Sequence, residues 1–120
     1  MMQQRRLPNA ERALVPRQKL TDYLLSSSHP VGKAKAAFFR AEGFDSAAWP
    51  LLADALRRHA EGCPLAKTEE TAFGTRYTVE GPLETPTGDA APIRSVWFIE
   101  EGEAVPRLVT AYPLPGRREE

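Results

Sequence analysis

The fold class is decided by residues 91–99, APIRSVWFI, in which side chains alternate between the two sides of an extended chain. With that period of two, Ile93 and Trp97 fall on one face and Arg94 and Phe98 on the other. Three further runs have the composition of strands: residues 65–70, 75–81 and 105–112. The segments between the runs are short and rich in turn-forming residues, which favours antiparallel neighbours in a meander. The sequence therefore predicts a four-stranded antiparallel sheet in the second half of the chain.

The last strand combines apolar and hydroxyl-bearing side chains. Taken as a regular strand, it places Leu108, Thr110 and Tyr112 on one face and Val109 and Ala111 on the other. One face of an antiparallel sheet commonly packs on helices, while the other stays accessible. The second face of this sheet is therefore free to hold a site.

Helical spacing replaces the strand period in the first half of the chain. A first helix is predicted from Pro16 onward, because proline is favourable in the first turn. Its apolar stripe consists of Leu20, Tyr23 and Leu24, which we expect to face the core. The segment SSSHP at residues 26–30 ends this helix.

Two more helices complete the helical part. The second is predicted from about residue 32 to 42, and its sides differ: Ala34, Phe38 and Ala41 lie on one, and Lys33, Ala37 and Arg40 on another. The third is predicted from near residue 46 to 61, with Trp49, Leu52, Leu56 and Ala60 directed inward.

Length and composition favour one domain, because 120 residues with 42% hydrophobic content supply one core. The predicted layout has four parts: an extended lead-in over 1–15, a helical part over 16–62, an antiparallel sheet over 64–112 and a flexible tail over 113–120. Leu7, Leu14 and Val15 of the lead-in are expected to pack against the body. The fold class is α+β, with about three N-terminal helices packed on a four-stranded antiparallel sheet.

The charge balance excludes a strong overall field. Lysine plus arginine and aspartate plus glutamate number 16 each, so nucleic-acid binding would require a local basic patch. The chain has no run approaching the roughly 20 apolar residues that cross a bilayer. Its start, MMQQRRLPNAER, also lacks the apolar run of a secretory signal, so we expect a cytoplasmic protein without a membrane partner.

Several reaction classes lack the residues they need. The two histidines and one cysteine are too far apart for a zinc site, although a magnesium site made of carboxylates stays open. The chain contains neither a GxxxxGK[ST] phosphate loop nor a GxSxG nucleophile elbow. Cys63 lies between Gly62 and Pro64 in a helix-to-strand connection and has no neighbour that would activate its thiol. No metal or other cofactor is therefore predicted.

The segment HPVGKAK, residues 29–35, carries groups suited to cleaving RNA without a metal. That reaction needs a base for the 2′-hydroxyl proton, cations for the phosphate charge and an acid for the leaving oxygen. His29 suits the base or acid role, and Lys33 and Lys35, near a helix N-terminus, suit the phosphate. The alternative is a histidine in a cap or loop and two solvated lysines.

The last strand provides a second set of candidates. Thr110 and Tyr112 project to the same side, where they could orient a phosphate, or where the tyrosine ring could stack on a base. Both residues are also ordinary strand formers. Arg76 and Arg94, on neighbouring strands, and Arg40 are candidate substrate-binding cations.

Three further residues are assigned structural positions. His59 falls on the polar side of the third helix and is expected at the surface. Trp49 and Trp97 fall on the apolar faces of their elements, so we expect core residues rather than stacking platforms for bases.

Six motifs carry a resemblance to a known family: LPNAERA (7–13), HPVGKAKA (29–36), FGTRY (73–77), VEGPL (79–83), SVW (95–97) and PRLVTAYP (106–113). Over about residues 7–113 the chain resembles a bacterial family catalogued only as a domain of unknown function, number six-eight-eight-three in that series. Its plan is more distantly similar to the superfamily of barnase, EndoU, colicin D and E5 and RelE-like ribonucleases, which are widespread as bacterial toxins.

The distant resemblance implies roles for particular residues. His29 would be the general base or acid, Lys33 and Lys35 the phosphate-stabilising cations, and Thr110 with Tyr112 the positioning pair of the last strand. Members of the unknown-function family are often encoded beside another small protein, which fits a toxin and its antitoxin, and equally an obligate complex without catalysis.

The leading functional prediction is a metal-independent endoribonuclease, the toxin of a bacterial toxin–antitoxin pair, with RNA as substrate and a cognate antitoxin as partner. The alternative is a non-catalytic protein-binding module, either an antitoxin or an assembly partner of a neighbouring small protein. A third reading is a small-molecule binder that uses the sheet around Arg76, Arg94 and Tyr112. The sequence leaves the oligomeric state open, including a homodimer.

Overall fold

The helices precede the sheet in the computed structural model, which describes residues 5–26 and 33–114. The helices are α1 (Arg17–Lys19), which continues as a π-helical turn over Leu20–Leu24, α2 (Lys33–Ala41) and α3 (Trp49–Gly62). The strands are β1 (Leu65–Thr71), β2 (Gly74–Glu84), β3 (Ala90–Glu100) and β4 (Arg107–Pro113). Short 3₁₀ turns lie at Ala10–Arg12 and Ser46–Ala48. The predicted α+β class is confirmed. Across the two described ranges, no helix has both the length and the apolarity to cross a membrane.

The sheet is an antiparallel meander with strand order β1-β2-β3-β4. Its longest hairpin pairs β2 with β3 without a break, from Gly74 opposite Glu100 to Glu84 opposite Ala90. The second strand thus continues three residues beyond the predicted end at 81. Residues directly opposite each other in such a ladder share a face. The continuous register therefore fixes which side chains of β2 and β3 face the helices.

Helix α3 covers one face of the sheet, called here the inner face. The carboxylate of Asp45 accepts a hydrogen bond from the Ala48 amide at 3.0 Å and caps the turn that leads into α3. Leu52 and Leu56 of α3 are fully buried in one apolar cluster with Trp97 of β3 and with Val79, Leu83 and Ile93. The core prediction for Trp97 is confirmed. The opposite, outer face of the sheet carries Arg76 of β2, Arg94 of β3 and Thr110 of β4, among others.

The sequence predicted His59 at the surface, and this prediction is wrong. His59 lies in the core, with only 2% of its surface accessible. Its Nε2 lies 3.0 Å from the Gly81 carbonyl and its Nδ1 3.0 Å from the Ser95 hydroxyl. Because a carbonyl only accepts, Nε2 carries the proton, and Nδ1 accepts from Ser95. The Trp97 indole donates to the same Ser95 oxygen at 2.8 Å. Hydrogen bonding from β2 and β3 thus allows a polar ring on the apolar side of the helix.

Strand β4 departs from the regular alternation that the sequence predicted. Leu108 pairs with Trp97, whereas Thr110 pairs with Val96, so Val109 is an extra residue in a β-bulge. Leu108 is consequently buried on the inner face, and Thr110 and Tyr112 lie on the outer face. The predicted shared face of Leu108, Thr110 and Tyr112 is therefore wrong.

Helix α2 packs beside β4 through a side that includes Ala36 and Phe39. Ala36 and Phe39 are fully buried, whereas Ala34 and Ala41 are exposed and Phe38 is half-buried. The Phe39 ring meets Phe38 and Phe44 edge-to-face, with ring centroids 5.1 and 6.3 Å away. These contacts anchor the helix and set which side chains turn toward the sheet.

The lead-in contacts both borders of the sheet: the Arg5 carbonyl accepts from the Leu65 amide at the start of β1, and Leu14 lies beside the start of β4. Leu7 and Val15 are buried as expected, but the Leu14 side chain is 50% exposed. The backbone of Leu14 makes the contact instead: its amide donates to Pro106 at 2.8 Å, and its carbonyl accepts from the Leu108 amide at 2.9 Å. A short parallel bridge therefore occupies part of the β4 edge.

Candidate functional site

Five side chains from four elements meet where α2 passes β4 on the outer face. We call them the Lys35 cluster: Tyr23, Lys35, Arg94, Thr110 and Tyr112. Lys35 reaches this place because it lies four residues before the buried Phe39, and residues at that spacing share one side of a helix. The bulge in β4 turns Thr110 and Tyr112 to the same outer face.

The Lys35 ammonium is held by two hydroxyl groups and two aromatic rings. Nζ donates to the Tyr23 hydroxyl at 2.5 Å and to Thr110 Oγ1 at 3.1 Å. It also lies 5.0 Å from the centroid of the Tyr23 ring and 5.4 Å from that of Tyr112. Both distances are within the range of cation–π attraction. The cation is thus fixed in position at the surface of the sheet.

Tyr23 has an altered acidity in this environment. Burial is the largest single effect and raises the pKa of the Tyr23 phenol. The hydrogen bonds with Lys35 and Thr110, together with the charges of Lys35 and Lys19, outweigh burial, so that the pKa lies below the usual value of 10.0. The Tyr23 hydroxyl also lies 3.2 Å from Thr110 Oγ1. Lysine, tyrosine and threonine therefore form a connected triangle of polar atoms.

Arg94 extends the cluster along β3. Its Nη1 donates to the Tyr112 hydroxyl at 3.3 Å, and its Nε donates to Glu80 Oε2 at 2.7 Å. Its Nη2 forms an ion pair with the same Glu80 oxygen at 2.7 Å. The hydrogen bonds to Tyr112 and Glu80 raise the pKa of Arg94 above its usual value, so the guanidinium stays charged. Its Cζ lies 5.5 Å from the Tyr112 ring centroid. The Tyr112 ring therefore lies close to both Lys35 and Arg94.

A hollow opens beside the cluster, between α1 and β4. It has a volume of about 710 Å³, and its lining includes Lys19, Tyr23, Arg107 and Thr110. The Asp22 carboxylate also lines it, so two cations, one carboxylate and two hydroxyl groups border a space large enough for part of a polymeric substrate. Positive charge and hydroxyl donors in one hollow suit an anionic ligand such as a phosphodiester.

The structure brings together four of the residues singled out in the sequence: Lys35, Arg94, Thr110 and Tyr112. Lys33 and Arg40 are exposed elsewhere on α2 and have no place in the cluster. Arg76 lies on the outer face but pairs with Phe98, one position away from the cluster along the sheet. His29 lies outside the described residues, and its role as general base or acid stays a prediction.

Tyr23 is the member of the cluster that sequence reasoning missed. The pattern placed it in the apolar stripe of the first helix, and its ring does pack against the core. A half-buried tyrosine hydroxyl usually finds a hydrogen-bond partner, which was the available signal. The partner itself was hidden, because Thr110 lies 87 residues further along the chain.

Comparison with known proteins gives one family and one fold relationship. No curated protein matches the chain. A solved structure titled a contact-dependent growth inhibition toxin–immunity protein complex, from Klebsiella pneumoniae 342, contains a similar chain with a TM-score of 0.65. The similarity covers 89% of this chain and 97% of that one at 19% sequence identity, and it shows a shared fold. The profile of one protein family matches residues 6–115. The chain therefore belongs to the family described as Domain of unknown function (DUF6883).

Proposed function

We propose that this chain is a metal-independent endoribonuclease that acts as the toxin of a toxin–antitoxin pair. The observation that carries the proposal is the Lys35 ammonium, which Tyr23 and Thr110 hold beside Tyr112 and Arg94. A fixed cation next to hydroxyl donors is what a transferring phosphoryl group requires when no metal is used.

The proposed reaction is an internal transesterification of RNA. The 2′-oxygen attacks the neighbouring phosphorus, the bond from phosphorus to the 5′-oxygen breaks, and a 2′,3′-cyclic phosphate and a 5′-hydroxyl form. A base takes the proton of the 2′-hydroxyl, and an acid returns a proton to the leaving 5′-oxygen. His29 is proposed for one of these proton transfers.

The members of the cluster have separate proposed roles. Lys35 and Arg94 stabilise the charge that grows on the non-bridging oxygens, and the hydroxyls of Thr110 and Tyr112 position the phosphate. An ammonium has three N–H donors, and within the described residues Tyr23 and Thr110 take two of them. The third is proposed to meet the phosphate, with Tyr23 as the positioning residue for Lys35.

The fold relationship supports a role in a toxin system. The Klebsiella pneumoniae 342 structure is titled a toxin–immunity protein complex, and the similarity to this chain extends over 97% of the matching chain in it. We propose by analogy that this chain is neutralised by a small partner protein, which in its own system is an antitoxin.

The first prediction concerns cleavage of RNA in EDTA. The purified chain should cut RNA, and Lys35→Met should reduce the rate by about 10²- to 10³-fold, as loss of one preorganised donor does elsewhere. His29→Ala should reduce it by about 10²- to 10⁴-fold, because a proton-transfer group is removed. Lys67→Met is the matched control, since Lys67 is an exposed lysine on β1 that forms an ion pair with Glu69. Gel analysis of a defined RNA gives the rates.

Equal rates for Lys35→Met and Lys67→Met would reject the site, and no cleavage by the wild-type chain would reject the nuclease.

One observation favours a second candidate, a non-catalytic protein-binding module. Strand β1 is an edge strand in the described sheet, and residues 66–71 are all exposed, so a partner strand could pair with it. Expression without a partner protein separates the two: growth arrest that Lys35→Met abolishes supports the nuclease, and normal growth supports the module.

A further inference from the structure

The outer face holds a second hollow next to the Lys35 cluster. It has a volume of about 530 Å³, and its floor is formed by Phe98 of β3 with arginines on both sides. Phe98 pairs directly with Arg76 of β2 and with Arg107 of β4, so all three side chains project from the same face. Leu14 and Lys19 border the hollow from the helical side.

The two hollows adjoin each other, and together we call them the groove. Both are lined by Lys19, Arg107 and Val109, and the first also contains Tyr23 and Thr110. A chain bound at the Lys35 cluster would therefore pass over Arg107 and reach Phe98. Phe98 lies two residues along β3 from Val96, which pairs with Thr110, and this corresponds to a rise of about 7 Å. The nucleotide next to a phosphate bound at the cluster could therefore reach the ring.

The Phe98 ring has a defined position on the sheet. A Cβ atom at Gly74 would lie 2.8 Å from two carbons of the ring, so the ring rests against the glycine backbone. Gly74 has a φ of +152°, a conformation that side chains rarely adopt. One side of the ring thus packs against the Gly74 backbone, while Phe98 as a whole is partly exposed.

We infer that Phe98, flanked by Arg76 and Arg107, is a stacking platform for a nucleobase next to the phosphate held by the Lys35 cluster. Aromatic side chains on a sheet bind unstacked bases by their π-faces, and guanidinium groups beside the ring meet acceptors on the base edge or its phosphate. Glu100 and Glu103 line the same hollow and supply carboxylate acceptors for amino groups of a base. The inference rests on the proposed function, because it specifies how that site holds its substrate.

The second prediction tests binding apart from cleavage. The probe is a fluorescently labelled RNA oligonucleotide with 2′-O-methyl groups, which lacks the attacking hydroxyl and stays intact. Phe98→Ala should weaken its binding by about 5- to 150-fold, the range that one base stacked on an aromatic ring provides. Phe98→Tyr should keep the affinity, because the π-face is retained. Fluorescence anisotropy measures the dissociation constant.

Phe73→Ala is the matched control, because Phe73 is 77% exposed in the β1–β2 turn and does not line the groove. Circular dichroism checks that the variants fold, and Arg107→Gln gives an independent loss of affinity should Phe98→Ala not fold. Equal affinity of wild type, Phe98→Ala and Arg107→Gln, or no binding by wild type, overturns the inference. Binding that depends on Phe98 without any cleavage of ordinary RNA in EDTA rejects the proposed nuclease and keeps the platform.

Discussion

Tyr23 combines a structural and a polar role in one side chain. Its ring packs against the core, and its hydroxyl lies at the corner of the triangle with Lys35 and Thr110. Removing the hydroxyl would leave the Lys35 ammonium with one hydroxyl partner in place of two. The acidity of the phenol therefore reports directly on whether the lysine is in place.

The third prediction is a titration of tyrosinate absorbance. Tyr23 should ionise below 10, because the hydrogen bonds and charges of its neighbours outweigh its burial. Lys35→Met should raise the pKa of Tyr23, since it removes both a hydrogen bond and a positive charge. Tyr23→Phe identifies the transition by removing it. A lowest tyrosine transition that survives in Tyr23→Phe, or that does not move in Lys35→Met, would contradict the triangle.

At the scale of elements, the bulge in β4 decides which residues reach the site. With Val109 as the extra residue, Leu108 stays in the core while Thr110 and Tyr112 face outward. A shift of one residue in a strand moves every following side chain to the other face. Two deletions in the same strand should therefore differ: one keeps the inner and outer faces of the strand, and the other exchanges them.

The fourth prediction compares those deletions. Removing Val109 converts the bulged strand to a regular one with the same faces, so we expect a loss of stability of about 0.5–3 kcal/mol. Removing Ala111 turns Tyr112 toward the core, and we expect a loss of more than about 4 kcal/mol or no folding. Urea unfolding measures both. Equal stability of the two variants would show that the bulge does not set the faces.

The elements themselves were largely predictable from the sequence, and the site only in part. Local sequence patterns indicate which residues are buried: the alternation at Ile93 and Trp97 in the strand, and the apolar stripe at Leu52 and Leu56 in the helix. All four residues are buried in the structure. The bulge at Val109 cannot be recognised from the alternation of side chains in the sequence. The position of Lys35 depends on how α2 packs beside β4, a contact between residues 75 positions apart, which no local pattern encodes.

At the scale of the whole molecule, a neutral histidine in the core links stability to pH. Burial lowers the pKa of His59 more than its hydrogen bond to Gly81 raises it. The unfolded chain takes up a proton at this residue near pH 6.5, whereas the folded chain does not. The unfolded state then binds more protons, so the free energy of unfolding decreases as the pH falls below about 6.5.

The fifth prediction is the size of that effect. Between pH 6.5 and the lowered pKa, His59 should contribute a slope of up to about 1.4 kcal/mol per pH unit, with stability higher at the higher pH. His59→Gln should be less stable at neutral pH and should lose this slope. His29→Ala retains His59 and serves as the control. Urea unfolding across this pH range would contradict the assignment if His59→Gln kept the wild-type slope.

The two borders of the sheet are unequal, and this limits growth by strand pairing. The β4 border is already engaged by the Leu14 backbone, while the β1 border displays its backbone along residues 66–71 with charged side chains, including Lys67 and Glu69. If a second copy paired its own β1 with this β1, the β1 border of both chains would be occupied, and no further chain could pair there. Such symmetric pairing ends at two chains and cannot by itself extend into a fibre.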